Sequence, residues 1–291
     1  MTDLAIRGNT TLLGNYASTA GGAIGAEGGS LTIGNTENSR ASFLYNTAVS
    51  GDGGAISIDG DEGIAATAAL VIKGAASFIG NAAKNSSGGA LHARSSILTI
   101  AGNSTFEFNT AGIDGGALHI AQCPEVEVRG EALFQSNAVS GSGGGFYGGS
   151  CDRVTLANAV FRSNRATWGG AVALVSCGDD DTIRGSAAVT SGCTFDSNSA
   201  SDGGGIYSAS GFDRISDSTF TNNFAESSGG ALAHSSVLLA LSGSTFQSNL
   251  AGEEGYAVMS LGPLRSLDSL TFEENMQHCG VGTYGYEKTE V

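Results

Sequence analysis

The chain has 291 residues, of which 46 are glycine and 2 are proline, and apolar residues make up 41% of it. Its formal charge of −15 argues against nucleic acid and anionic membranes as partners, because both are bound by basic patches. No apolar run approaches the roughly 18 residues that a membrane-spanning helix needs, so no transmembrane segment is predicted.

A Phe-x-x-Asn motif, or a close variant of it, recurs along the chain at intervals of 25 to 35 residues. A Gly-Gly step follows most of these motifs, with its second glycine six to eight residues after the Asn. A repeat of this length is typical of solenoid proteins, in which each repeat stacks on the next. The ten asparagines are Asn15, Asn46, Asn81, Asn109, Asn137, Asn164, Asn198, Asn223, Asn249 and Asn275.

Within one repeat the residues alternate with a period of two. Leu118 and Ile120 alternate with Ala117 and His119, which predicts a short strand with one buried face. Gly115-Gly116 precedes this strand and permits a tight corner where a side chain would clash. Each repeat is therefore predicted to form three short strands joined by three turns.

These features predict an all-β fold, a single-stranded right-handed parallel β-helix of about ten coils. The right hand follows from the preferred hand of parallel strand connections. Residues 1–275 are predicted to form the continuous helix, and residues 276–291 a C-terminal tail or cap. An interior aromatic column is expected from Phe43, Phe78, Phe106, Phe134, Phe161, Phe195, Phe220, Phe246 and Phe272.

The repeated asparagines from Asn46 to Asn275 are interpreted as a structural ladder at one turn, because an Asn side chain can satisfy free backbone groups and bond to the next Asn. Cys123, Cys151 and Cys177 each follow the second glycine by seven residues, which places them in one column on successive coils. That column is either a ladder of buried thiols or the source of one disulfide, which an oxidising compartment would favour.

Candidate binding residues occur at the outward third position of the strand after the Gly-Gly step. His92, His119, Tyr147 and Tyr207 occupy it and would form a shallow strip suited to sugar or protein contacts. The alternative is a scatter of ordinary exposed aromatic side chains. A metal held by the two histidines would lack a third ligand.

Two repeats carry acidic insertions that are weak calcium candidates, although solvated charged loops are the commoner explanation. Paired carboxylates do not recur on adjacent coils, so no catalytic residue, no cofactor and no enzyme activity is predicted. The calcium candidates are Asp59, Asp61, Asp179, Asp180 and Asp181.

The Gly-Gly-Ala-apolar and Phe-x-x-Asn motifs together resemble the polymorphic outer membrane protein repeats of chlamydial surface autotransporters. Similar repeats occur in some algal and protist proteins. The resemblance implies a passenger-type β-helix that is exposed on a surface and acts in adhesion. The motifs are GGAI at 21–24 and 53–56, GGAL at 88–91, 115–118 and 229–232, and GGAV at 169–172.

The function predicted from the sequence is a non-catalytic β-helix, extracellular or on the cell surface, that mediates adhesion or binds protein or glycan. The alternative is a structural subunit or segment of a filament, coat or larger assembly, and the third hypothesis is a polysaccharide-acting β-helix enzyme. The expected partners are a protein or glycan surface, neighbouring subunits, or more of the same polypeptide at the N-terminal end.

Overall fold

The computed structural model describes residues 3–34, 39–60, 68–177, 187–209, 212–235, 238–262 and 264–277. These residues form 38 strands and no helix, and all the described strand pairings are parallel, each strand pairing with its equivalent one repeat later. The predicted all-β parallel solenoid is confirmed, and it winds about nine turns. The right hand of the winding stays a prediction.

Most turns contribute one strand to each of four lateral faces. The turn that contains Arg165 makes only isolated bridges on face C, so that face is divided into a sheet of five strands and a sheet of four. Face A consists of β1 (Asp3–Ile6), β5 (Gly29–Ile33), β9 (Ala68–Ile72), β13 (Ser96–Ile100), β17 (Val126–Val128), β21 (Arg153–Ala157), β24 (Ala187–Ser191), β28 (Phe212–Ser216), β32 (Leu238–Ser242) and β36 (Leu264–Asp268). Face B consists of β2 (Thr10–Leu13), β6 (Arg40–Leu44), β10 (Ala75–Ile79), β14 (Thr105–Glu107), β18 (Leu133–Gln135), β22 (Val160–Arg162), β25 (Thr194–Asp196), β29 (Thr219–Thr221), β33 (Thr245–Gln247) and β37 (Thr271–Glu273).

The other two faces follow the Asn turn and the Gly-Gly step. Face C consists of β3 (Tyr16–Ala17), β7 (Thr47–Ala48), β11 (Ala82–Ala83), β15 (Thr110–Ala111), β19 (Ala138–Val139), β26 (Ser199–Ala200), β30 (Phe224–Ala225), β34 (Leu250–Ala251) and β38 (Met276–Gln277). Face D consists of β4 (Ile24–Glu27), β8 (Ile56–Asp59), β12 (Leu91–Arg94), β16 (Leu118–Ala121), β20 (Phe146–Gly149), β23 (Val172–Val175), β27 (Ile206–Ala209), β31 (Leu232–His234) and β35 (Val258–Ser260).

The sequence predicts three strands per turn, whereas the structure has a fourth, on face C. The strands of face C have only two residues, too few for an alternating pattern to be visible in the sequence. Face C continues to Gln277, beyond the predicted end of the helix at residue 275. Residues 278–291, the rest of the predicted tail, lie outside the described residues.

The core is a set of apolar columns that run along the solenoid. Phenyl rings on face B stack with centroids 4.6 to 5.1 Å apart and planes within 10° of parallel. The rings from Phe43 to Phe246 are fully buried, whereas Phe272 in the last coil is 38% exposed. Each buried ring contributes on the order of 1.5–3 kcal/mol of apolar burial. The predicted aromatic column is confirmed.

The Gly-Gly step is required by two separate constraints. Gly115 has a φ of +66°, in the left-handed region that glycine adopts at low cost. Gly116 lies against the next coil, and a Cβ there would stand 2.2 Å from the carbonyl oxygen of Gly144. The first glycine therefore turns the chain, and the second lets adjacent coils approach.

The repeated asparagines form a continuous hydrogen-bonded ladder inside the turn between faces B and C. The backbone N–H and Nδ2 of Asn109 both donate to Oδ1 of Asn137, each over 3.0 Å. Nδ2 of Asn137 in turn donates to Asn164 Oδ1 at 3.0 Å and to the carbonyl of Phe106 at 2.9 Å. The same contacts recur at Asn46, Asn81, Asn164, Asn198, Asn223 and Asn249, and Asn275 ends the described ladder.

Candidate binding surfaces on the sides of the solenoid

The predicted strip residues occupy one register row on face D. Parallel pairing aligns each with the equivalent residue of the next strand, because every coil adds one residue to the row. Ala173 lies between Tyr147 and Tyr207, so the row contains a stack of three rings followed by a gap. The row runs Ser57, His92, His119, Tyr147, Ala173 and Tyr207.

The three consecutive rings are stacked nearly parallel. The centroids of His92 and His119 are 5.0 Å apart, and those of His119 and Tyr147 are 4.9 Å apart. The two Nδ1 atoms of the histidines are 2.9 Å apart, so one must donate and the other accept. At least one of the two imidazoles is therefore neutral, since a doubly protonated ring has no acceptor.

The strip is not a flat exposed surface. His92 is only 3% exposed, and its Nε2 lies 3.4 Å from Asp59 Oδ1 and 3.9 Å from Asp52 Oδ2. His119 and Tyr147 are half-buried. The prediction of His92 as a surface contact is not met, because Asp52 in the Gly-Gly corner and Asp59 lie against its ring.

Burial and neighbouring charge determine the protonation of this stack. Burial, together with a smaller effect of the adjacent His92, lowers the pKa of His119 to about 3, while Asp52 and Asp59 oppose the change. The hydrogen bond from His92, opposed by burial, holds the pKa of Asp59 below its ordinary value. Burial raises the pKa of Tyr147 to about 12. His119 is therefore neutral at neutral pH.

The part of the chain that the structure describes contains no cluster of side chains that would bind calcium or another metal. Asp59 is the one calcium candidate that is described, and its Oδ1 accepts from Arg94 Nε at 3.2 Å as well as facing His92. No group of three or more His, Cys, Asp or Glu residues among the described residues could hold a metal ion. The other candidates, Asp61, Asp179, Asp180 and Asp181, lie outside the described residues.

The three aligned cysteines are buried free thiols. The Sγ atoms of Cys123, Cys151 and Cys177 lie 3.6, 3.9 and 3.3 Å from a carbonyl oxygen of the preceding coil. Those carbonyls belong to register partners, so the thiols form one column. The hydrogen bond with Cys151 lowers the pKa of Cys123 to about 7, whereas hydrogen bonds to both neighbours raise the pKa of Cys151.

An exposed apolar surface that the repeat pattern does not predict lies along the Asn turn of the first four coils. We call it the corner patch. Leu13, Leu44 and Ile79 are register partners at the end of face B. Tyr45 and Phe108 come directly before the Asn of their repeats and are 63% and 56% exposed. The corner patch consists of Leu13, Tyr16, Leu44, Tyr45, Ile79 and Phe108.

The same positions are polar in the later coils. The row that begins with Leu13, Leu44 and Ile79 continues as Glu107, Gln135, Arg162, Asp196, Thr221, Gln247 and Glu273. The residue before the Asn changes from Tyr45 and Phe108 to Ser136, Ser163, Ser197, Asn222, Ser248 and Glu274. Position along the solenoid, and not the repeat itself, therefore determines where the apolar surface lies.

Comparison with known families identifies the repeat. Residues 192–209 and 217–235 match the model of the Chlamydia polymorphic membrane protein repeat. These two segments are repeats of the chlamydial polymorphic membrane protein type. In the first matched segment this repeat contains Phe195 and Asn198, which belong to the phenyl column and the asparagine ladder. No curated protein and no solved structure matches the chain. No helix long and apolar enough to cross a membrane occurs in the described residues.

Proposed function

We propose that this chain is a surface-exposed, non-catalytic β-solenoid that adheres to a protein or glycan on another surface. The polymorphic membrane protein repeat and the solenoid fold are consistent with a surface passenger of this kind, and the family description supports an extracellular or cell-surface location. The observation that carries adhesion is the corner patch. Clusters of exposed apolar side chains on a protein surface mark interaction sites.

The composition of the corner patch suits a binding surface. Tyr16 and Tyr45 are 69% and 63% exposed, and each presents a flat apolar ring with a polar hydroxyl at its edge. Tyrosine is enriched at binding interfaces because its rigid ring buries a large area at low entropic cost. The interior of the solenoid is filled by apolar columns. A ligand therefore has to use the outside, and a surface spanning four coils offers a continuous contact.

Adhesion of the whole chain to candidate host or partner cells tests this proposal. The triple variant Leu13→Ser, Tyr45→Ser, Phe108→Ser should lose most of the binding, since it removes the exposed apolar area. Leu261→Ser is the matched control, because Leu261 is 75% exposed in the loop after face D of the ninth coil and lies outside the corner patch. Equal binding of the triple variant and the wild type would contradict the proposal, as would release of reducing ends from a polysaccharide substrate.

A structural subunit is the second candidate function. It is favoured by exposed apolar side chains on the two end coils of the described solenoid, where Leu4 is 51%, Leu267 43% and Phe272 38% exposed. Another coil, from a neighbouring subunit or from more of the same polypeptide, would cover them. Sedimentation over a range of protein concentrations distinguishes the candidates, because end-to-end stacking produces species larger than a monomer that grow with concentration.

A further inference from the structure

A groove on face C crosses the coils that contain Arg165, Ser199 and Phe224. Arg165 bridges to Ser199, and Ser199 pairs with Phe224, so the three residues occupy one row. Two coil spacings separate Arg165 from Phe224, about 9.6 Å, with the small Ser199 between them. The groove encloses a volume of about 510 Å³. That volume lies within the range of small-ligand pockets.

Arg165 is the cation of this groove. Its side chain is exposed, and it makes no ion pair with any of the residues that the structure describes. The neighbouring exposed Arg162 differs, since its Nε donates to Asp196 Oδ2 at 3.1 Å. In the preceding coils the Arg165 row contains no other cation and runs Tyr16, Thr47, Ala82, Thr110 and Ala138. A guanidinium that lines a groove and forms no ion pair with the described residues is well placed to form a two-bond contact with a ligand carboxylate.

The rest of the lining favours a sugar as the carrier of that carboxylate. Hydroxyl groups of Thr167, Ser199 and Ser201 face the groove, and Thr167 Oγ1 donates to Ser140 O at 2.6 Å, which leaves its oxygen free to accept. The half-buried ring of Phe224 forms an apolar wall on which the face of a sugar ring can pack. Glu226 provides an acceptor for sugar hydroxyls and disfavours a second anionic group.

We propose that this groove binds one carboxylate-bearing sugar residue of a glycan, with the carboxylate on Arg165, the hydroxyls on the Ser and Thr side chains, and the ring face on Phe224. The inference rests on the proposed function, because it names the chemical class of one ligand of the surface-exposed solenoid. A uronic acid and a sialic acid share this chemistry.

Titration of the whole chain, followed by ¹H–¹⁵N NMR, tests the proposal with glucuronic acid, N-acetylneuraminic acid and glucose. An acidic sugar should shift the amide signals of residues 165, 199 and 224, and glucose should bind at least about tenfold more weakly. Which acid binds more tightly distinguishes the two sources. Equal affinity for glucose, or the absence of shifts with both acids, would overturn the proposal. Tighter binding of an acetylated Asp-Asp peptide would also overturn it.

Three variants locate the site. Arg165→Ala should weaken acid-sugar binding by about tenfold or more, whereas the control Arg162→Ala should leave it unchanged. Ser199→Phe fills the groove and should abolish binding while Arg165 is retained. A retained NMR spectrum shows that each variant is folded. Unchanged affinity in Arg165→Ala would overturn the assignment.

Failure of this inference is distinguishable from failure of the proposed function. If acid sugars do not bind but adhesion still depends on the corner patch, only the groove assignment is overturned. If acid sugars bind through Arg165 but the chain adheres to no cell, the adhesive function is overturned and the groove assignment is supported.

Discussion

The ring of Tyr45 lies against the backbone of Gly80 in the next coil, so closely that a Cβ on Gly80 would stand 2.6 Å from the ring carbons Cδ1 and Cε1. Both residues precede the ladder asparagine of their repeat, with φ of 54° at Tyr45 and 65° at Gly80. Because Gly80 has no side chain, the exposed ring of Tyr45 in the preceding coil can pack against its backbone.

The variant Gly80→Ser should displace the Tyr45 ring and weaken adhesion. The cost to the free energy of unfolding should be small, about 1 kcal/mol, because a non-glycine residue at positive φ is tolerated here. Ser136 adopts a φ of 54° at the equivalent position. Urea unfolding and the cell-adhesion assay measure the two effects, with Ser136→Gly as the control. Full adhesion by Gly80→Ser would show that the position of the Tyr45 ring does not matter.

The asparagine ladder should contribute unequally along the solenoid. Asn137→Ala removes the acceptor of the Asn109 N–H and the donor to the Phe106 carbonyl, both buried, and should lower the free energy of unfolding by about 3 kcal/mol. Asn15→Ala should cost less than about 1 kcal/mol, because Asn15 is exposed and its backbone N–H keeps its bond to Asn46. Urea unfolding followed by circular dichroism compares the two, and equal losses would contradict the ladder.

As the pH falls, the titration of His119 should destabilise the fold before the carboxylates become protonated. Its pKa falls from 6.5 to about 3 on folding, mainly through burial, so the unfolded chain binds more protons between those values. Stability is therefore present above pH 6.5 and is lost as the pH falls below it. Asp52 and Asp59, with pKa values lowered from 3.8, add a loss only at more acidic pH.

The variant His119→Phe isolates this effect, since it keeps a ring in the stack and removes the titrating group. Its urea midpoint should fall less between pH 7 and pH 5 than that of the wild type. His234, whose pKa is also lowered by burial, is present in both proteins and contributes equally. An identical pH dependence in the variant and the wild type would show that His119 is not the group responsible.

The thiol column should be inert in the folded protein. Cys123, Cys151 and Cys177 are buried, so iodoacetamide cannot reach their sulfur atoms in the folded protein. Burial protects Cys123 even though its pKa is lowered, and the raised pKa of Cys151 leaves little thiolate there. Peptide mass spectrometry after iodoacetamide treatment should find these residues unmodified in the native state and alkylated in urea. Peptides that stay cross-linked in urea without reductant would establish the disulfide alternative in place of the thiol ladder.

The sequence predicts the parts of this fold that repeat with a fixed period. Phe134 and Asn137 could be placed because the same residue types recur in every coil and stack on themselves. The strands of face C could not be predicted, because a two-residue strand such as Ala138–Val139 is too short for alternation to appear.

The surfaces were harder to predict because they arise between coils. Tyr45 and Phe108 stand inside the structural Phe-x-x-Asn motif, two coils apart, and Gly80 occupies the equivalent position of the coil between them, against the Tyr45 ring. The burial of His92 depends on Asp52 and Asp59 of the preceding coil, and the period-two pattern of one strand contains no information about that contact.

Photo-crosslinking from defined positions tests most directly whether the corner patch is the contact surface. A benzophenone side chain replaces Tyr45, Phe108, Tyr207 or Leu261 in turn, and the protein is irradiated on cells to which it adheres. Positions 45 and 108 should cross-link to the partner, while positions 207 and 261 should not. Cross-links confined to position 261, or equal yields at all four positions, would contradict a lateral contact through the corner patch.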